Sequence, residues 1–217
     1  MTRILTINPN SSAAVTKAID VALAPLRRPG LPTLDVTDLP EGPPGIATQR
    51  DSDSVIMPLV TLVGRDDADA FVIACFSDPG LHAVREAAHP RPVFGIAESA
   101  ILHALTRGER FGIIALSPAS VKRQQRYVRQ MGLDIRYAGS HPVDASAADT
   151  ASPEIRDRLI QAAHTLVQHR GADTVILGCA GMAAHRPAIE TAIGRPVIEP
   201  SQQAVASAIA ALLLSAA

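Results

Sequence analysis

Tryptophan is absent from this 217-residue sequence, and there are only two Tyr and four Phe. So few aromatic rings leave no platform on which nucleic-acid bases could stack. Neither sign of charge dominates: 20 Lys and Arg stand against 21 Asp and Glu, interspersed along the chain, for a net charge of −1. Without a basic stripe, neither a nucleic acid nor an anionic membrane is expected as a partner. Cysteine is scarce. Cys75 and Cys179 lie far apart with no Cys-x-x-Cys or Cys/His spacing, so neither a disulfide framework nor a zinc site is expected, and both are read as thiols. The most apolar stretch, 204–217, is shorter than the roughly 20 residues that span a bilayer and reads as a terminal helix docked on the core. The start, Met1-Thr2-Arg3-Ile4-Leu5, lacks the apolar run and small-residue cleavage site of a signal peptide, which places the protein in the cytoplasm by expectation. No Gly-x-Gly-x-x-Gly follows the first strand and no Gly-x-Ser-x-Gly occurs, which disfavours a dinucleotide dehydrogenase and the commonest serine hydrolases.

What remains is a chain with 47% apolar residues and enough length for one large or two small domains with a real core. Short β-branched runs predict strands near 3–7, 33–37, 69–74, 92–96, 111–116, 134–138, 174–177 and 196–198. Helical patterns fall between them at about 11–27, 52–64, 79–88, 97–107, 118–131, 153–169, 182–192 and 201–215. Ser117-Pro118, Ser152-Pro153 and Asp78-Pro79 each place a capping residue before a proline suited to the first helical position. Alternating strands and helices with near-continuously apolar strands indicate an α/β fold with mainly parallel sheets covered on both faces.

The sequence also repeats itself. Arg3-Ile4-Leu5-Thr6-Ile7-Asn8-Pro9 recurs in outline as Phe111-Gly112-Ile113-Ile114-Ala115-Leu116-Ser117-Pro118. Asp69-Ala70-Phe71-Val72-Ile73-Ala74-Cys75 recurs as Asp173-Thr174-Val175-Ile176-Leu177-Gly178-Cys179, at a nearly equal offset. The chain therefore reads as two similar four-stranded units of about a hundred residues each.

Each cysteine follows the carboxyl end of a strand and precedes a small or polar loop, where open α/β sheets bind ligands. Unpaired N–H groups and the positive helix end there are expected to lower a thiol pKa towards neutrality. A single such cysteine reads as an inert core thiol, but a repeat-matched pair facing across a cleft can take a proton from one face of a carbon and return one to the other. That inverts a stereocentre α to a carbonyl, with no cofactor required. Backbone N–H groups after each cysteine, with Asn8 and Ser117 at the first strand of each half, are candidates to hold the enolate.

Four motifs then carry a resemblance. Asn8-Pro9-Asn10-Ser11, the run from Ala74-Cys75-Phe76-Ser77 to Gly80, Phe94-Gly95-Ile96-Ala97-Glu98-Ser99-Ala100, and Gly178-Cys179-Ala180-Gly181-Met182 resemble the hydantoin racemase branch of the Asp/Glu racemase superfamily, from residue 1 to about 205. The resemblance implies two pseudo-symmetric Rossmann-like α/β domains, 1–97 with a returning helix at 200–217 and 98–199, and an active site in the cleft between them. It implies cofactor-independent racemisation of a 5-substituted hydantoin or allantoin, Cys75 and Cys179 as opposed acid and base, and a homo-oligomer. Asn8, Ser77, Ser117, Ala180 and Gly181 would line the pocket, closed by loops 39–48 and 117–123. Two other readings stay open: an isomerase of an amino acid or dicarboxylate, similar to maleate isomerase and using Cys75 covalently, and a catalytically silent small-molecule binding protein. His185 reads as a solvated helix histidine, and Lys122-Arg123-Gln124-Gln125-Arg126 through Arg129 as a solvated helical face or subunit contact.

Overall fold

The computed structural model describes residues 2–215; Met1 and residues 216 and 217, at the edges of the expected first unit, lie outside the described residues. The chain runs β1 (Arg3–Asn8), α1 (Ala13–Ala22), β2 (Thr33–Asp38), α2 (Gln49–Ser54), α3 (Ile56–Arg65), β3 (Ala70–Ile73), α4 (Leu81–Ala88), β4 (Val93–Gly95) and α5 (Ile96–Ala104). It continues with β5 (Phe111–Ala115), α6 (Pro118–Gln130), β6 (Tyr137–Pro142), α7 (Arg156–His164), β7 (Thr174–Leu177), α8 (Arg186–Ile193), β8 (Val197–Ile198) and α9 (Pro200–Ser215). The strands form two four-stranded sheets, ordered β2-β1-β3-β4 and β6-β5-β7-β8, in which each pairing is parallel. Each sheet reverses its winding between its first and third strands, β1/β3 and β5/β7, and such a switch point opens a crevice at the strands' carboxyl ends.

The strands point alternate residues to opposite faces, and both faces are apolar. On the outer side of the first sheet, Leu5, Ile7, Phe71 and Ile73 pack with Leu59, Val63 and Val84 from α3 and α4. On the outer side of the second, Ile114, Val175 and Leu177 pack with Leu159, Ala163 and Ile189 from α7 and α8. The inner faces share one core: Ile4, Val72 and Ala74 from one sheet and Phe111, Ile113 and Ile176 from the other join residues of α1, α5 and α9. The last helix returns to the first sheet, touching β1, β3 and β4, and α5 touches both α9 and β7. The expected unit boundary at 97/98 falls inside α5.

Several expectations change. The sheets are wholly rather than mainly parallel. The strand expected at 134–138 lies at Tyr137–Pro142, because Asp134–Arg136 form a short 3-10 turn held by Arg136 Nη2 donating to the Gly108 carbonyl (2.8 Å). The helix expected over 153–169 begins as 3-10 and ends in a π-helical turn, Thr165–His169, and that over 182–192 is preceded by a 3-10 stretch, Ala180–His185. Ser117 does cap α6, accepting from Ser120 N (3.2 Å) with Pro118 next. Asp78 does not cap α4, which begins at Leu81 after Gly80. With a left-handed φ of 41°, Asp78 turns its carboxylate to the start of α5, where Ala97 N (3.0 Å) and Glu98 N (2.8 Å) donate to it. Gly95 allows this approach, since a Cβ there would lie 2.3 Å from Asp78 Cγ.

Candidate active site

Both cysteines stand where the repeat put them, just past the carboxyl ends of β3 and β7. Ala74 N still donates to Ile7 O (2.8 Å), so the ladder carries the chain one step beyond β3 before Cys75 turns away, its carbonyl accepting from Asp78 N (2.9 Å). In the other half Gly178 N donates to Ile114 O (2.9 Å), and Cys179 leads into the 3-10 stretch. Gly178 is required by crowding, since a Cβ there would sit 2.2 Å from Ile114 O. Cys75 and Cys179 are both half-buried and line one cavity of about 290 Å³, whose wall comes from both halves.

The thiols are not acidified as their positions had suggested. Burial raises the Cys75 pKa above its ordinary value, against the pull of Ser77 and the field of Arg123. Cys179 is pushed up to about 11, chiefly by burial and further by the neighbouring Cys75, while the Gly181 N–H and the Thr150 hydroxyl pull it down. Loss of water around sulfur outweighs the N–H groups at both sites. The Cys75 Sγ lies 3.3 Å from Ser77 Oγ, which is 3.2 Å from Ser52 Oγ.

Of the other expected site residues, Ser77 and Ala180 line the cavity. Asn8 is fully buried, with its amide donating to Asn10 Oδ1 (3.0 Å) and Thr16 Oγ1 (3.0 Å), and it is Asn10 that reaches the wall. Ser117 is likewise occupied as the α6 cap, and Ser120 takes the wall position. Gly181 packs against the 147–150 segment, where a Cβ would lie 2.0 Å from Thr150 Oγ1. Loops 39–48 and 117–123 contribute Ile46, Ser120 and Arg123.

The principal omission is the face of α6. Ser120, Arg123, Gln124, Tyr127 and Gln130, spaced at three and four residues, line the cavity with Arg126; of the cluster read as a solvated face, Gln124 is buried and Arg123 half-buried, while Lys122, Gln125, Arg126 and Arg129 stay exposed. Their helical spacing was visible, but a polar stripe facing a wet cleft has the same period as one facing bulk water. Tyr127 Oη donates to Asp78 Oδ2 (2.9 Å), and burial lifts the Asp78 carboxyl to about 6 despite its three donors. His185 is also corrected: it is buried, with Nε2 3.0 Å from the Thr150 carbonyl, because the 3-10 stretch turns it under the 147–150 segment. Among the described residues no three His, Cys, Asp or Glu side chains are grouped to hold a metal ion, and no helix is long and apolar enough to cross a membrane.

Comparison with known proteins agrees with this geometry. The sequence profile of the Asp/Glu/Hydantoin racemase family matches residues 4–208. A hydantoin racemase of Paenarthrobacter aurescens is 35% identical over 97% of this chain and 92% of its own length, and one of Pseudomonas sp. (strain NS671) is 32% identical over 91% and 80%. Among solved structures, allantoin racemase from Klebsiella pneumoniae superposes with a TM-score of 0.88 at 29% identity, covering 99% of this chain and 89% of that one. With this two-sheet α/β fold and a family match over nearly its whole length, the chain belongs to the Asp/Glu/hydantoin racemase family and is a racemase, an enzyme of the isomerase class.

Proposed function

We propose that this racemase inverts the carbon α to a carbonyl in a 5-substituted hydantoin or allantoin, without a cofactor, using Cys75 and Cys179 as opposed acid and base. The observation that carries the reading is the placing of two repeat-matched thiols on the wall of one cavity. One sulfur, as thiolate, takes the proton from C5; the electron pair moves into an enolate; the other sulfur, as thiol, delivers its proton to the opposite face. The roles of the sulfurs are exchanged after each turnover and protons balance. Mutual repulsion keeps the second thiol protonated when the first ionises, and the Arg123 charge favours the Cys75 thiolate. The Gly181 N–H acts on the Cys179 sulfur, while Ser77 and the backbone at Ala180, both residues of the cavity wall, hold the enolate oxygen in this reading. Asn8 and Ser117 act one step back, by fixing Asn10 and Ser120. The substrate cleft divides a first unit, 1–97 with 200–217, from a second, 98–199.

Deuterium uptake from solvent at C5 and loss of optical rotation test this, for both enantiomers of allantoin and of alkyl and aryl hydantoins, with spontaneous racemisation subtracted. Wild type is expected to do both; Cys75→Ser and Cys179→Ser should each lose racemisation yet retain exchange of opposite enantiomers. Uptake that survives loss of both thiols overturns the mechanism, and no uptake across the panel overturns the substrate class.

A further inference from the structure

Two guanidinium groups line the cavity, half-buried Arg123 and exposed Arg126, and neither touches a carboxylate among the described residues. Arg123 and Arg126 stand one turn apart on α6 and both line the cavity of the two cysteines. Arg123 donates from Nη1 to Ala47 O (2.7 Å) and from Nη2 to Ser120 Oγ (3.1 Å), and Arg126 Nη2 donates to Gln49 Oε1 (2.5 Å). Every one of these acceptors is a neutral oxygen. Among the described residues neither arginine forms an ion pair. The nearby acids bond neutral donors, although the Asp51 charge still favours that of Arg123. Asp78 takes Ala97 N, Glu98 N and Tyr127 Oη; Asp51 takes Thr48 N (2.8 Å) and Ala47 N (3.1 Å); Asp53 Oδ1 takes Gln49 Nε2 (2.8 Å).

Next to Arg123, Gln124 is buried and accepts from Ser140 Oγ through Oε1 (2.6 Å), which leaves the Nε2 amide as a donor on the cavity side, beside Gly178. Burial already disfavours the Arg123 charge. Arg123 is partly withdrawn from water with no carboxylate in contact, and its fork matches a carboxylate better than a lone peptide oxygen. The cavity volume of about 290 Å³ sits at the small end of ligand sites, enough for a small ring with a short side arm.

We infer that the substrate of this cleft carries an anionic arm, a carboxylate on its 5-substituent, received by Arg123 with Arg126 and the Gln124 amide beside it. The inference rests on the hydantoin reading above and narrows it: a hydantoin bearing a carboxymethyl or carboxyethyl group is preferred over one bearing a neutral group of the same shape. Binding exchanges the Ala47 carbonyl for the carboxylate on Arg123. No covalent step is added.

The test compares C5 deuterium exchange for 5-carboxymethyl and 5-carboxyethyl hydantoins with their 5-carbamoylmethyl and 5-carbamoylethyl counterparts, using wild type, Arg123→Gln and Arg123→Lys of matched circular dichroism. Wild type is expected to favour acid over amide in kcat/KM by about tenfold or more, mostly through KM. Arg123→Gln should erase the acid-to-amide ratio and Arg123→Lys restore part of it. A wild type indifferent to the charge overturns the inference. So does an Arg123→Gln that slows acid and amide alike with the ratio intact, since the arginine then serves Cys75 instead of the substrate. If no hydantoin exchanges at all, the hydantoin reading fails by itself, and the anion site is judged by melting temperature with glutarate against glutaramide. Stabilisation by glutarate alone, lost in Arg123→Gln, upholds the site; an equal response overturns it.

Discussion

Asp78 and Glu199 show how single residues follow the internal repeat without following its sequence. Asp78 accepts two N–H groups at the start of α5, and Glu199 accepts Ser201 N (3.1 Å) and Gln202 N (2.6 Å) at the start of α9, the helix that follows the last strand of the other half. A carboxylate at a helix N-terminus is favourable, yet burial dominates here and lifts Asp78 from 3.8 to about 6 and Glu199 from 4.5 to about 7. A carboxyl whose folded pKa is raised contributes its full stability below the unfolded value and loses it as pH rises through the folded value. For Glu199 that window runs from 4.5 to about 7. Glu199→Gln cannot ionise, so its unfolding free energy should gain on wild type by roughly 3 kcal/mol between about pH 4 and about pH 8. Urea denaturation of both proteins across that range measures the gap. A gap that stays constant with pH means that Glu199 titrates no differently in the folded chain.

At the scale of elements, the sequence made the cysteine loops legible because both ends of the pattern are local: an apolar strand, a thiol, then small residues. Ser117-Pro118 was legible for the same reason. What stayed hidden depends on partners distant in sequence. Asp78-Pro79 carries a helix-start signal, but its carboxylate is claimed by α5, about twenty residues on, and Gly80 rather than Asp78 precedes α4. The inward face of α6 was hidden because its destination, the cleft, is not encoded in its period. Gly181 illustrates the same dependence from the other side. It was expected to touch substrate, yet its lack of a Cβ lets the segment ending at Thr150 close over the Cys179 loop, with the Thr150 hydroxyl donating to Ala147 O (2.7 Å). Gly181→Ala must therefore push Thr150 away, at a cost of about 1–3 kcal/mol for overpacking. Thr150→Ala removes the clashing oxygen, so the double variant should lose less than the sum of the single losses, by more than about 0.5 kcal/mol in a double-mutant cycle. Strict additivity in thermal or urea unfolding would show that the two loops do not press on each other.

For the whole molecule, the repeat correctly announces two sheets of four strands, but it does not tell how the two sheets share a core. Each sheet keeps its own outer core, whereas the inner faces meet in one layer built from α1, α5 and α9, so Ile113 of the second sheet and Ile4 of the first belong to the same cluster. Strand patterns reveal that both faces of a sheet are apolar, but they carry no information about whether two apolar faces share a helix layer, because that depends on where α5 and α9 dock. A shared layer makes the halves unfold together, which also keeps the two thiols in register across the cleft. Ile113 is fully buried, so Ile113→Ala should cost about 2–5 kcal/mol. Native-state hydrogen exchange then distinguishes the architectures. With a common core, the slowest amides of β1 lose as much protection as those of β5, and denaturation remains a single transition by every probe. If instead the β1 amides keep their wild-type protection while β5 opens, the sheets fold as separate units and the cleft is held only by contacts at its rim.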